Sequence, residues 1–185
     1  MLSKFEIRSM GTIEDILWAS GVAYNKDSTK SLKQLRNGSH YHESPFRFYN
    51  IVGELQVPMF VWRQIQRHKI GMEFVEISRR YTKPEKKDFY IENKYQREIV
   101  AHALEMYNNM INFGVKPENA RTILPMNIYT KVRMSFTLSW LIRVYEDRVL
   151  NPHAQRETRL VVADIIQTCV NTDTSLSEVF KDYII

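Results

Sequence analysis

Residues 63–81 read Arg-Gln-Ile-Gln-Arg-His-Lys-Ile-Gly-Met-Glu-Phe-Val-Glu-Ile-Ser-Arg-Arg-Tyr. Four Arg, one Lys, one His, two Glu and one Ser follow directly on an apolar run, Val57-Pro58-Met59-Phe60-Val61-Trp62. Guanidinium forks and a serine hydroxyl suit a phosphate, and carboxylates suit sugar hydroxyls or a base edge. Charged runs are usually solvated helix faces. This one sits behind a core-like segment, which favours a phosphate-bearing ligand. Downstream, Arg121 lies near Pro125, and Arg148 and His153 bracket Val149, Leu150, Asn151 and Pro152, with Ala154 and Gln155 after them. Taken singly, each Arg reads as a surface ion-pair partner. Together with Arg80 they could clamp one phosphate if the fold brings them to one place. Upstream, His42 and Ser44 fall in His-Glu-Ser-Pro-Phe (42–46), just before a strand-like segment. A histidine there is either solvated or a ligand contact at a sheet edge.

The elements that must hold these residues are readable in outline. Residues 12–24 predict a helix capped by Thr12, with Glu14 and Asp15 at its positive end. Ser28 or Thr29 opens a short second helix ending near Asn37-Gly38. Partial alternation and aromatic content over 46–57 predict a strand. Pro58 then opens a helix carrying Phe60, Val61 and Ile65 beside Arg63, Gln64 and Arg67. Val100, Ala103, Leu104, Tyr107 and Ile111 mark a helix over 92–113, stopped by Gly114. Pro117 opens a short helix through Leu124, stopped by Pro125. Residues 128–138 alternate as a second strand, and helices follow at 139–148, 153–169 and 174–182. The expected fold class is α+β: one domain over 1–185, rich in helix, with a small twisted antiparallel sheet.

Composition narrows the function. The chain has 185 residues, 44% of them apolar and 12% aromatic, enough for a substantial core. A formal net charge of +5 and a pI near 9.3 favour anionic partners. Glu73, Glu76, Glu85 and Asp88 interrupt the basic run, so a phosphate-tracking stripe for nucleic acid is disfavoured. The single cysteine, Cys169, excludes a disulfide framework and a Cys-rich zinc site, and it reads as a small buried hydrophobe. There is no Gly-x-Gly-x-x-Gly, no Gly-Lys-Ser/Thr loop, no Gly-x-Ser-x-Gly elbow and no metal-ligand spacing. No signal-peptide or bilayer-length apolar run is seen, so a cytoplasmic protein without a membrane partner is expected.

The combination of segments resembles the flavin-dependent thymidylate synthases. Residues 63–81 are similar to that family's signature, Arg-His-Arg-x-x-Ser-x-Asn-Glu-x-Ser-x-Arg-Tyr. His42-Glu-Ser-Pro-Phe46 resembles its His-x-x-Pro-Phe segment. Residues 120–130, Ala-Arg-Thr-Ile-Leu-Pro-Met-Asn-Ile-Tyr-Thr, resemble its Ala-Arg-x-x-Leu-Pro-x-Asn-x-Tyr-Thr segment. Arg148, followed by His153-Ala-Gln155 and Glu157, resembles its Arg…His-Ala-Gln-x-Glu segment. The matches keep the family's order across roughly residues 40–160. The resemblance implies a homotetramer that methylates deoxyuridine monophosphate (dUMP) at carbon 5. Methylenetetrahydrofolate would give the carbon, and FAD reduced by NADPH the hydride.

Carried over position by position, the resemblance assigns Gln64, Glu76, Ser78, Arg80, Arg121 and Arg148 to the nucleotide. Ser78 acts as a ligand contact at the reacting site, and Arg148 stabilises charge on the base. His42, Ser44, Arg67, His68, Lys69 and His153 are the flavin candidates. The flavin side departs from the pattern. Lys69 replaces the third basic residue and loses its fork. Eight residues instead of seven separate Lys69 from Ser78, and Val75 stands where Asn is expected. Thr137 and Ser139 occupy the places of an Asn-x-Arg pair, and Arg47 stands where a Glu follows Pro-Phe. The Arg148–His153 loop is one residue longer. These departures keep two other readings open: a pyrimidine-nucleotide C5-modifying enzyme such as a hydroxymethylase, and a non-catalytic nucleotide- or RNA-binding relative.

Overall fold

The computed structural model of the chain describes residues 1–37 and 43–180. Within them, β1 (Lys4–Met10), β2 (Asn50–Pro58), β3 (Met72–Glu76) and β4 (Tyr129–Thr137) form one antiparallel sheet in the order β1-β2-β4-β3. The centre of the sheet is the long β2–β4 ladder, from Asn50 opposite Thr137 to Pro58 opposite Tyr129. Its period-two pattern puts Ile51, Leu55 and Val57 on one face, opposite Phe136, Val132 and Thr130, and all six are buried. Gly53 lies on that face too. A Cβ there would stand 2.7 Å from the Phe5 ring, so the absence of a side chain lets β1 pack against the central ladder. A bulge between Ile7 and Ser9 bends β1 at the edge.

Seven α-helices flank the sheet within the described residues: α1 (Ile13–Gly21), α2 (Leu32–Asn37), α3 (Met59–Ile65), α4 (Lys94–Asn112), α5 (Pro117–Ala120), α6 (Leu138–Tyr145) and α7 (Arg156–Thr172). The fold class is α+β, as expected. α3, α6 and α7 bury Trp62, Trp140, Leu141, Val161 and Ile165 against the sheet in one core. A smaller cluster of Phe89, Val100 and Ile128 lies under α4. Cys169 is wholly buried in α7, and burial pushes its thiol up to about 12. No helix among the described residues is long and apolar enough to cross a membrane.

The differences from the sequence reading have local causes. Thr12 caps α1 as expected, with Asp15 closing a reciprocal capping box. The first predicted strand starts four residues late, because Pro45 opens a tight turn over Ser44–Arg47 before β2. The helix expected over 117–124 is a short α5 followed by a 3-10 turn, Arg121–Ile123. α6 begins at Leu138 under a Thr137 cap and widens into a π turn, Glu146–Leu150. α7 lies three residues later than predicted at each end. The last helix is a 3-10 turn, Thr174–Glu178, and 181–182 lie outside the described residues. Two edge strands, β1 and β3, were not anticipated.

Candidate functional site

The basic run breaks where α3 ends. Arg67 N–H and His68 N–H donate to the carbonyls of Gln64 and Ile65, closing a tight turn. Gly71, at φ +90°, turns the chain into β3. The turn is tied to the start of α6 by three bonds to its carbonyls. Trp140 Nε1 donates to His68 (2.6 Å), Arg143 Nη2 to Ile70 (2.8 Å) and Thr137 N–H to Gly71 (3.0 Å). With its backbone fixed, the turn contributes Arg67, His68, Lys69 and Ile70 to a cleft of about 290 Å³. Trp140, Arg143 and Asp147 form the opposite wall.

The π turn brings Arg148 to the same place. Arg148 Nε donates to His68 Nε2 at 2.9 Å, and its Nη2 reaches the Gln64 carbonyl at 3.4 Å. An imidazole nitrogen that accepts from a guanidinium cannot carry a proton. The geometry therefore assigns the His68 proton to Nδ1, which faces Asp147 Oδ2 at 3.5 Å. Burial holds the His68 pKa below its ordinary value, and Arg148 and Arg143 add to the effect against the opposing pull of Asp147. The Gln64 amide donates to Gln155, and Gln155 donates to Glu157 (2.9 Å), so the loop before α7 joins this group.

A second group gathers around Glu118. Arg80 Nε lies 3.5 Å from the Glu118 carboxylate, and Arg121 Nε donates to the Glu118 carbonyl at 3.3 Å. Ser78 Oγ accepts from the Arg80 N–H at 3.3 Å, which sets the turn between β3 and Arg80. Two candidate phosphate-binding guanidiniums, 41 positions apart in the chain, thus converge with the candidate serine. Arg79, inside the motif, points elsewhere. It pairs with Asp88 (3.3 Å) and donates to the Tyr129 carbonyl (2.8 Å) as a half-buried strut.

Glu76 stands between the groups. Its Oε2 accepts from Trp62 Nε1 at 3.3 Å and its Oε1 from Thr130 Oγ1 at 2.7 Å, so α3, β3 and β4 meet on one carboxylate. Among the described residues, no hydrogen bond or ion pair joins the Arg148 group directly to the Arg80 group. Ser44 lines a separate cleft with Ala19, Gly21 and Lys30. His153 is exposed at the loop before α7, and its N–H donates to Asn151 Oδ1. His42 lies outside the described residues. Sequence reasoning missed Asp147, Glu43, Arg143 and Glu118, and it named Ser139 only as a departure from the pattern. Asp147 adjoins Arg148, and Arg143 sits one helical turn after a departure already noted at Ser139. Those were the available signals. Among the described residues, no group of three His, Cys, Asp or Glu could hold a metal ion.

Comparison with known proteins fits this geometry. The family described as thymidylate synthase complementing protein matches residues 7–172. The chain is 28% identical over 152 residues to a flavin-dependent thymidylate synthase of Thermosipho africanus, covering 68% of this chain and 65% of the relative. It is 31% identical over 144 residues to that of Thermosipho melanesiensis, covering 64% and 62%. The matched part therefore spans a little under two thirds of both relatives. A solved structure of a UMP/dUMP methylase, PolB from Streptomyces cacaoi, bound with 5-Br dUMP, superposes with a TM-score of 0.78. It is 18% identical, and the alignment covers 98% of this chain and 95% of that one, so the two share a fold.

Proposed function

The chain belongs to the thymidylate synthase complementing protein family, and on that premise we propose that it converts dUMP to dTMP by reductive methylation at carbon 5 of the base. Methylenetetrahydrofolate supplies the methylene group and NADPH the hydride, leaving tetrahydrofolate and NADP⁺. Bound FAD would supply the redox chemistry that passes this hydride from NADPH to the transferred carbon. We take residues 1–185 as one domain of this kind, acting in the cytoplasm as a homotetramer.

The observation that carries the reading is the placement of Arg148. Its guanidinium is held by a neutral imidazole and a backbone carbonyl, with no carboxylate in hydrogen-bond contact among the described residues. Such a cation keeps its full charge for a ligand. Set against the uracil ring, it stabilises negative charge on the base oxygen as carbon 5 is attacked. Gln64 and Glu76 orient sugar and base, and Glu76 is itself kept in place by Trp62 and Thr130. Arg80 and Arg121 take the phosphate, and Ser78 bonds it as a donor, not as a nucleophile. With Cys169 buried, the reaction runs without a thiol nucleophile.

The cleft over Arg67–Ile70 suits the anionic part of the flavin. It joins the cations of Arg67, Lys69 and Arg143 to the Trp140 ring, and the buried Arg143 Nε is ion-paired with Glu43 at 3.4 Å. His42, Ser44 and His153 remain as flavin contacts in this proposal. The replaced residues at Lys69, Thr137 and Ser139 favour one variant of the reading, a C5 modification ending in a hydroxymethyl group.

The test is FAD titration by absorption, with and without dUMP, followed by product analysis with methylenetetrahydrofolate and NADPH. FAD binding that responds to dUMP, with dTMP formed, is expected. Arg148→Ala should abolish turnover while FAD still binds. A hydroxymethylated product would select the variant, and the absence of FAD binding under either condition would sink the reading.

A further inference from the structure

The cleft holds one guanidinium that neither the motif nor the comparisons assign. Arg143 lines it from α6, opposite Arg67 and Lys69. One arm, Nη2, is fixed on the Ile70 carbonyl, and Nε lies 3.4 Å from Glu43 Oε1. Among the described residues, Nη1 has no partner. Glu43 is itself gripped: the hydroxyl of Ser139, wholly buried, donates to the same oxygen, and Arg47 reaches it at 3.5 Å. These contacts, Ser139 first, hold the Glu43 carboxyl below its ordinary range.

The four residues also account for two departures in the sequence pattern. An acid is missing at Arg47 and a guanidinium is missing at Ser139. Glu43 lies four residues before the first, and Arg143 four residues, one helical turn, after the second. We propose that Glu43 and Arg143, with Ser139 holding the carboxylate, are a relocated acid–guanidinium pair, and that Arg143 turns its Nη1 edge to the diphosphate of a bound dinucleotide, beside the point charge of Lys69. Arg143 contacts the ligand, and Glu43 is a positioning residue that keeps the guanidinium edge turned to the cleft. The proposal rests on the flavin-dependent reading for the identity of the dinucleotide, FAD. It does not rest on it for the diphosphate site.

Binding to the purified full chain separates the two. The probes are FAD, riboflavin, which lacks the diphosphate, and inorganic diphosphate. Arg143→Gln should weaken FAD and inorganic diphosphate by roughly 10- to 100-fold, the scale of a lost charge-assisted hydrogen bond, and riboflavin by less than about 2-fold. Arg143→Lys keeps the charge and should fall between. Glu43→Gln should weaken FAD less than Arg143→Gln, and the double variant should bind no worse than Arg143→Gln alone, since both act through one group. Equal loss of riboflavin and FAD, or wild-type FAD affinity in both Arg143→Gln and Arg143→Lys, would overturn the proposal. Wild-type protein that binds inorganic diphosphate through Arg143 but not FAD would leave it standing and refute the flavin reading. Wild-type protein that binds neither would overturn it.

Discussion

Replacing Glu76 by alanine would strip two donors of their only acceptor among the described residues. Trp62 is wholly buried and Thr130 is 2% exposed, so water cannot take over for either group. An orphaned buried donor costs about 1–3 kcal/mol, so two of them cost roughly 3 kcal/mol at the lower-middle of that range. For a chain of this size each kcal/mol moves Tm by roughly 2–4 °C, so Glu76→Ala should melt roughly 6–12 °C early. Glu76→Gln is the discriminating partner. Its amide oxygen can accept from Trp62 Nε1 while its NH₂ donates to the Thr130 hydroxyl, which rotates to accept. Only the charge is lost, at about 1 kcal/mol or roughly 2–4 °C. Thermal unfolding followed by circular dichroism at neutral pH measures both, with a urea titration to check that the m-values agree. If the alanine variant melts within about 2 °C of wild type, the carboxylate does not hold α3, β3 and β4 together, and the account of how the site is positioned fails.

Three further outcomes are expected. His68 has a depressed pKa in the fold, so the unfolded chain binds more protons as pH falls below about 6.5, and stability should drop from there down through the folded pKa. Unfolding measured from pH 8 to 5 should show this slope in wild type and a flatter profile in His68→Asn; identical profiles would contradict it. Gly71→Ala should lose roughly 1–3 kcal/mol, because φ is +90° and the added Cβ would stand 2.9 Å from Thr137 Oγ1. An unchanged Tm would mean that the turn is not fixed as described. Cys169, buried and with a pKa raised to about 12, should resist a thiol reagent at pH 8 until denaturant is added, and rapid stoichiometric labelling would refute its burial.

The central ladder was legible because β2 and β4 each bury one face, and their alternating residues register that directly. α4 was legible for the same reason at helical period. β1 was missed although Lys4, Phe5, Glu6, Ile7 and Arg8 do alternate. Only Phe5 is buried, and the bulge after Ile7 breaks the period before it becomes long. β3 was hidden differently. Met72 is its one buried residue, and its charges were read as ligand chemistry, though Phe74 packs edge-on against Trp62 at 5.1 Å. Within the site, the types of the motif residues were visible in order. Their internal partners were not. Nothing in one dimension says that Arg79 is a strut while Arg80 turns to Glu118, or that a glutamate before Pro45 meets a serine in α6. Such pairs depend on register between elements far apart in the chain.

The π turn at Glu146–Leu150 separates two quantities that an ordinary helix locks together. In an α-helix, one added residue turns everything beyond it by about 100° and carries a side chain from one face to the next. A π turn absorbs the addition as extra girth, so the residues on either side keep their angular phase. Beyond it the chain runs out into extended Asn151 and a loop to Arg156, so α6 and α7 can stay seated on the sheet while the stretch between them changes length, and Arg148 rides on the widened turn. The feature works as a vernier. It lets such a chain adjust the reach of a guanidinium by a fraction of a turn without re-cutting the core that supports it. The longer Arg148–His153 loop is the trace that such an adjustment would leave in the sequence.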